Sequence, residues 1–220
     1  MSAATDVDAG FPRLADARTV LPAGADQKLA DYLELLAKWN RTYSLTAIRD
    51  PQQMRTHHVH DALAVLPHLP AKSELRVLDV GSGSGSPGLP LAIARPSWRV
   101  VLIDSSRKKG AFLRQAVIEL SLSNVEVVTA RVEDYQPMAP FDVVIARAFA
   151  DLSAFAALAM RHVAHGGRLV AMKGAYPSAE IAALPPTVRV VATPTLDVPG
   201  LDARRHLVVM APRVGEAARA

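Results

Sequence analysis

Residues 78–88 read LDVGSGSGSPG. Gly81, Gly83, Gly85 and Gly88 leave the main chain almost bare straight after an apolar run. A packed core gains nothing from so many missing side chains, whereas a ligand lying against the backbone does. The spacing Gly83-x-Gly85-x-x-Gly88 fits a nucleoside-binding fingerprint, provided a strand precedes it and a helix follows. Asp104 lies 21 residues beyond Gly83, close to the ~20 expected of an acid that accepts hydrogen bonds from ribose hydroxyls. The loop's N–H groups and the following helix start are expected to hold an anionic group.

Two nucleoside cofactors fit such a loop, a nicotinamide dinucleotide and S-adenosylmethionine. Asp79 favours the second. It stands two residues before the first glycine, where it would repel a pyrophosphate and attract an ammonium or sulfonium cation.

Further charges recur at regular places: Arg131 with Glu133, Arg147 and Lys173. Together with Asp79 and Asp104 they fall at the carboxyl ends of predicted strands, the edge at which open α/β sheets bind ligands. Glu133 and the backbone of Val132 stand where an adenine edge is read. Arg147 faces the side from which a methyl acceptor would arrive, and its guanidinium suits either a cofactor carboxylate or an RNA phosphate. Candidate phosphate contacts are Arg107, Lys108, Lys109, Lys173, Arg204 and Arg205, with Arg41, Arg49 and Arg55 nearer the N-terminus. Arg107–Lys109 open a helix, where cations oppose the macrodipole by roughly 0.3–1 kcal/mol each. His57, His58 and His60 beside Asp61 invite a metal reading, but no glutamate separates paired histidines and the chain has no cysteine. No metal site is expected; a cap over the cofactor pocket, or plain packing, is.

The elements that must position these residues follow from periodicity. Leu29, Tyr32, Leu33, Leu36 and Trp39 form one face of a helix from Ala25 to Trp39, expected to pack on the sheet. Asp50-Pro51 starts a second helix that runs to about Leu66. Strands are predicted at 75–80, 99–104, 125–130, 141–146 and 168–173, and helices near 89–95, 107–120, 152–164 and 177–184. That alternation means a parallel sheet covered on both faces. Residues 188–193 and 206–211 follow one another across a turn-rich loop and predict an antiparallel pair closing the sheet. Residues 1–72 are expected to form an N-terminal arm, loose over 1–23, and a helical lobe. Residues 73–220 are expected to form the doubly wound, Rossmann-like α/β domain.

The chain has 220 residues, half of them hydrophobic, and a net charge of +4. The absence of cysteine removes disulfides, thiolate zinc sites and a thiol nucleophile. No apolar run is long enough to span a membrane, and the N-terminus does not read as a secretory signal, so a cytoplasmic location is expected. The modest basic charge suits a polyanionic partner. Nothing demands a dimer, and a monomer is expected.

These segments together resemble the RsmG (GidB) family of bacterial small-subunit rRNA guanine-N7 methyltransferases. The resemblance runs through WNRTYSLTAIRDP (39–51), HHVHDALAVLPHL (57–69), LDVGSGSGSPGLPLAI (78–93), LIDSSRKKGAFLRQ (102–115), ARVED (130–134), ARAF (146–149) and MKG (172–174). It implies a class I methyltransferase fold with a short helical N-terminal lobe, S-adenosylmethionine as donor, and a guanine in the decoding-region loop of 16S rRNA as acceptor. It places cofactor contacts on Gly81, Ser86, Val132, Glu133 and Arg147, beside Asp79, Gly83, Gly85 and Asp104 from the loop itself. Arg147 is the residue assigned to the reacting centre. Ser86 departs from the bulky apolar residue usual in the family. Three readings stand as alternatives: a methyltransferase of small molecules, a non-catalytic RNA-binding protein of this fold, and a nicotinamide oxidoreductase.

Overall fold

A computed structural model describes residues 20–149 and 151–213. Most of the loose arm expected over 1–23 lies outside the described residues. Helix α1 spans Ala25–Tyr43. Helix α2 (Pro51–Arg55) starts where Asp50 caps it, the carboxylate accepting from the Gln53 N–H at 2.8 Å. The chain then widens into a π-turn over Thr56–His60 before a short α3 (Asp61–Leu63).

Eight strands follow among the described residues, all in one sheet. They are β1 (Arg76–Val80), β2 (Arg99–Ile103), β3 (Val125–Val128), β4 (Phe141–Arg147), β5 (Val163–Lys173), β6 (Val188–Ala192), β7 (Thr195–Leu196) and β8 (Arg205–Pro212). Helices α4 (Gly88–Ala94), α5 (Arg107–Glu119), α6 (Leu152–Ala159) and α7 (Ser178–Ala182) join β1 to β2, β2 to β3, β4 to β5 and β5 to β6, while β3 passes to β4 through a 3-10 turn at Val132–Asp134. The order is β3-β2-β1-β4-β5-β8-β6, with β7 pairing the start of β8. β1 to β5 run parallel. β8 is antiparallel to both β5 and β6. The expected closing pair is therefore present, with the last strand inserted between β5 and β6.

Alternate residues of each central strand feed opposite faces, as a strand's period of two requires. Val77, Leu102, Val143 and Ile145 join one apolar cluster with α1, α4 and α5. Leu78, Val101, Val144 and Ala146 join the other, under α6. Each fully buried Leu, Val or Phe contributes about 1.5–3 kcal/mol by leaving water.

The N-terminal stripe joins the core, as expected. α1 packs against α2, α4 and α5, the outer layer over the sheet. Leu29, Tyr32 and Leu36 are fully buried there, and Trp39 meets Phe112 of α5 edge-on at 5.7 Å. Two boundaries moved. The predicted 152–164 helix ends at Ala159 in a single 3-10 turn, and β5 begins at Val163, ahead of the glycine pair Gly166-Gly167. Gly166 has φ +76, and a Cβ on Gly167 would lie 2.9 Å from the Phe141 and Asp142 carbonyls. The long strand passes too close to β4 there for a side chain.

Candidate functional site

The glycine loop joins β1 to α4 and lies at the carboxyl end of the sheet. Its glycines divide by role. At Gly81 (φ +71) and Gly83 (φ +56) a Cβ would meet nothing closer than 3.6 Å, so both face open space with main chain bare. At Gly88 a Cβ would lie 2.2 Å from Leu102 Cδ2 and 2.7 Å from Asp79 Oδ2, so its bareness serves internal packing. Gly85 is likewise closed in, by Leu89.

Two acids brace this loop. Asp79, at 1% exposure, accepts from the Gly88 N–H at 3.0 Å through Oδ2, while its Oδ1 is buried without a hydrogen-bond partner. Burial raises its carboxyl to about 7. Asp104, at the end of β2, accepts from the Gly83 N–H at 3.0 Å and from the Ser106 N–H at 2.8 Å. Lys109 Nζ stands 3.8 Å from the same carboxylate.

These bonds correct one expectation. The N–H groups of Gly81 and Ser82 go to the Ile103 carbonyl, that of Gly85 to the Ser82 carbonyl, and those of Gly83 and Gly88 to carboxylates. The loop has spent these donors internally and presents no anion nest from them. A pyrophosphate would find two carboxylates where a dinucleotide loop offers N–H groups. A nucleoside carrying cations fits this cradle: bare backbone at Gly81 and Gly83, an orphaned acid oxygen on Asp79, and Asp104 beside them. The hydroxyl of Ser86 is also buried and unpartnered in the loop.

Val132 and Glu133 form a 3-10 turn after β3. Val132 is buried, and its carbonyl accepts from His162 Nε2 at 3.0 Å. The Glu133 carboxylate stays half-exposed, 3.7 Å from Arg131.

Arg147, at the end of β4, is held by residues the sequence reading did not connect with it. Its Nη1 donates to the His57 carbonyl and lies 3.7 Å from Asp61 Oδ2; its Nη2 donates to His58 Nδ1 at 3.2 Å. His58 Nδ1 is also 3.4 Å from the Ser84 hydroxyl, and the Ser84 carbonyl accepts from Tyr32 Oη at 2.9 Å. Asp61 is shared with Arg205, whose Nε stands 3.5 Å from Oδ1. Burial pushes the Asp61 carboxyl up, and the two arginines pull it back. No spacing rule links residues 32, 58, 84 and 147; only the folded chain does.

The proposed RNA cations also separate. Arg107, Lys108 and Arg204 are exposed. Lys109 turns to Asp104, Lys173 pairs with Glu180 at 2.7 Å, and Arg205 with Asp61. Arg41 and Arg49 are exposed on the helical segment, while Arg55 is half-buried. His58 and His60 bond within the chain, His60 through Nδ1, which donates to the Pro199 carbonyl at 2.9 Å. No metal-holding group of three or more His, Asp or Glu occurs among the described residues. A cleft of about 430 Å³ lined by Arg76, Trp98, Arg99 and Phe141 opens at the opposite end of the strands and touches none of these residues.

A parallel sheet with one antiparallel strand inserted next to its edge, and a glycine loop braced by acids at the ends of β1 and β2, define a class I methyltransferase. Solved structures of that fold align with the chain: MtNAS in complex with MTA and tNA (TM-score 0.57, 14% identity, 90% of this chain and 78% of that one), and TrmN from Thermus thermophilus (0.53, 22%, 69% and 48%). The chain belongs to the rRNA small subunit methyltransferase G (GidB) family, whose profile matches residues 25–208. It is 51% identical over 195 residues to "Ribosomal RNA small subunit methyltransferase G" of Laribacter hongkongensis, covering 89% of this chain and 93% of that protein. With the protein of the same name from Nitrosospira multiformis it shares 53% over 190 residues, covering 83% and 87%. Methylation of small-subunit rRNA is the activity this membership carries, and S-adenosylmethionine is the methyl donor that goes with it.

Proposed function

We propose that the chain methylates N7 of a guanine in the decoding-region loop of 16S rRNA. The observation that supports the choice of atom is that the His58, Asp61 and Tyr32 side chains around Arg147 are each already engaged. His58 Nδ1 already accepts from Arg147, and its other nitrogen faces the Thr46 hydroxyl at 3.2 Å. Asp61 stands between two arginines. Tyr32 donates to Ser84, and burial pushes its hydroxyl well above the ordinary tyrosine range. An exocyclic amine or a hydroxyl loses a proton when methylated; N7 offers a lone pair and loses none. When bound, S-adenosylmethionine would supply a sulfonium methyl, which such a lone pair takes in line while the neutral thioether leaves with the electron pair of the broken C–S bond.

On this reading Gly81, Gly83 and Ser86 hold the donor against the loop, Asp79 faces its positive charge, and Asp104 receives its ribose. Val132 and Glu133 border the adenine, and Arg147 aligns the acceptor. Exposed Arg107, Lys108 and Arg204 meet phosphates. Tyr176, half-exposed after β5 and propped edge-on by His206 at 5.7 Å, offers a face on which an unstacked base can rest.

The test is tritium transfer from labelled S-adenosylmethionine into 16S rRNA, naked or in the small subunit, followed by mapping of the modified atom. Label on an N7 of the decoding-region loop is expected. Label on an exocyclic amine, or only on small-molecule acceptors, would overturn the reading.

A further inference from the structure

We infer that His58 and Asp61 are positioning residues for methyl transfer, holding the Arg147 guanidinium beside the glycine loop. The inference rests on the reading of Arg147 as the acceptor-side residue and adds what fixes it there.

The π-turn is the first part of the device. In an α-helix the Asp61 N–H would bond the His57 carbonyl, four residues back. Here it reaches the Thr56 carbonyl, five back. The His57 carbonyl is left to accept from Arg147 Nη1, and His58 and Asp61 come to the same guanidinium.

His58 is the second part. Arginine only donates, so the ring nitrogen facing Arg147 is an acceptor and Nδ1 carries no proton. The proton is therefore on Nε2, which donates to Thr46 Oγ1. His58 is 2% exposed, and burial together with the Arg147 charge keeps the ring neutral. A charged ring would present N–H to a guanidinium. The tautomer is thus set by the contact with Arg147, and the neutral state by burial with that contact's charge added.

The third part is the connection to the cofactor loop. The nitrogen that accepts from Arg147 lies 3.4 Å from the Ser84 hydroxyl, and the Ser84 carbonyl is fixed by Tyr32 of α1. One buried set of contacts therefore sets the position of Arg147 relative to the loop. A guanidinium has five N–H donors; the two spent on His57 and His58 orient it, and others stay open for the substrate. Asp61 is shared with Arg205 and balances charge on both arginines.

The test compares His58→Leu, which removes the acceptor, with His58→Asn, whose Oδ1 is bonded to Cγ as Nδ1 is and restores it. Asp61→Asn is the third variant. Single-turnover methyl transfer at saturating RNA and cofactor, cofactor affinity by calorimetry, melting temperature and the 15N side-chain signals of Arg147 are measured on the full chain. His58→Leu is expected to slow the single-turnover rate by about 30- to 100-fold, the scale of a misplaced catalytic group. Its cofactor affinity should stay within about threefold, an effect under 1 kcal/mol. His58→Asn should recover most of the rate. Asp61→Asn should slow the rate as His58→Leu does, again sparing cofactor affinity. Arg147 side-chain protons protected from exchange in wild type should lose protection in His58→Leu and keep it in His58→Asn. Equal impairment of the Leu and Asn variants, or Arg147 signals unchanged in His58→Leu, would overturn the inference. Should wild type itself fail to methylate 16S rRNA, the function reading falls while the Arg147 signals still decide this one.

Discussion

Asp79 carries the most quantitative expectation for cofactor binding. Burial raises its carboxyl from the ordinary 3.8 to about 7, although Gly88, Ser82 and Arg147 act in the opposite direction. At pH 6 about nine in ten unliganded molecules then hold a proton there. A ligand bearing an ammonium and a sulfonium favours the ionised form, so binding expels that proton. Below about pH 7 affinity should therefore fall about tenfold per pH unit, or about 1.4 kcal/mol, and it should level off above. Between pH 7.5 and 5.5 the loss is about 25-fold. The unliganded fold shows the opposite trend. Its folded pKa is raised, so Asp79's contribution to stability is full below pH 3.8 and is lost as pH climbs towards 7. Calorimetric titration with S-adenosylmethionine at pH 6, in buffers of contrasting ionisation enthalpy, should report about 0.9 proton released per site. Asp79→Asn keeps an acceptor for the Gly88 N–H and removes the titrating proton, so its affinity should be lower at pH 8 and nearly flat with pH. No proton release from wild type, or an unchanged pH profile in Asp79→Asn, would refute the reasoning.

Asp104→Ala should weaken cofactor binding strongly and also cost about 3 kcal/mol of stability or more, because the Gly83 and Ser106 N–H groups lose a charged acceptor. Cofactor affinity equal to wild type would count against the ribose assignment. Gly88→Ala should lower the melting temperature by forcing Leu102 and Asp79 aside, at about 1–3 kcal/mol. Gly81→Ala meets no atom within 4 Å but must hold φ +71, so calorimetry should show cofactor affinity falling while the fold loses only about 1 kcal/mol. Arg107→Glu with Lys108→Glu should raise the KM for rRNA and flatten its salt dependence while leaving cofactor affinity intact; an unchanged salt slope would show that phosphates dock elsewhere.

Much of this protein was legible in its residues because the signals are local. Strand and helix periods, the Asp50-Pro51 helix start and the spacing of Asp104 from the glycines each depend on neighbours within a turn, a strand or one βαβ unit. The acids at the strand ends were legible for the same reason, since a parallel sheet puts every carboxyl end at one edge. Partners far apart in sequence were not. Nothing in HHVHD announces that its second histidine accepts from an arginine 89 residues away, or that a π-turn frees the preceding carbonyl to do likewise. Nor do three consecutive cations declare that Lys109 turns to Asp104 while Arg107 and Lys108 face water. The placement of β8 between β5 and β6 belongs with these. Strand order, helix packing and donor sharing are settled by which surfaces bury one another, and that competition is decided only when the whole chain has closed around its two cores.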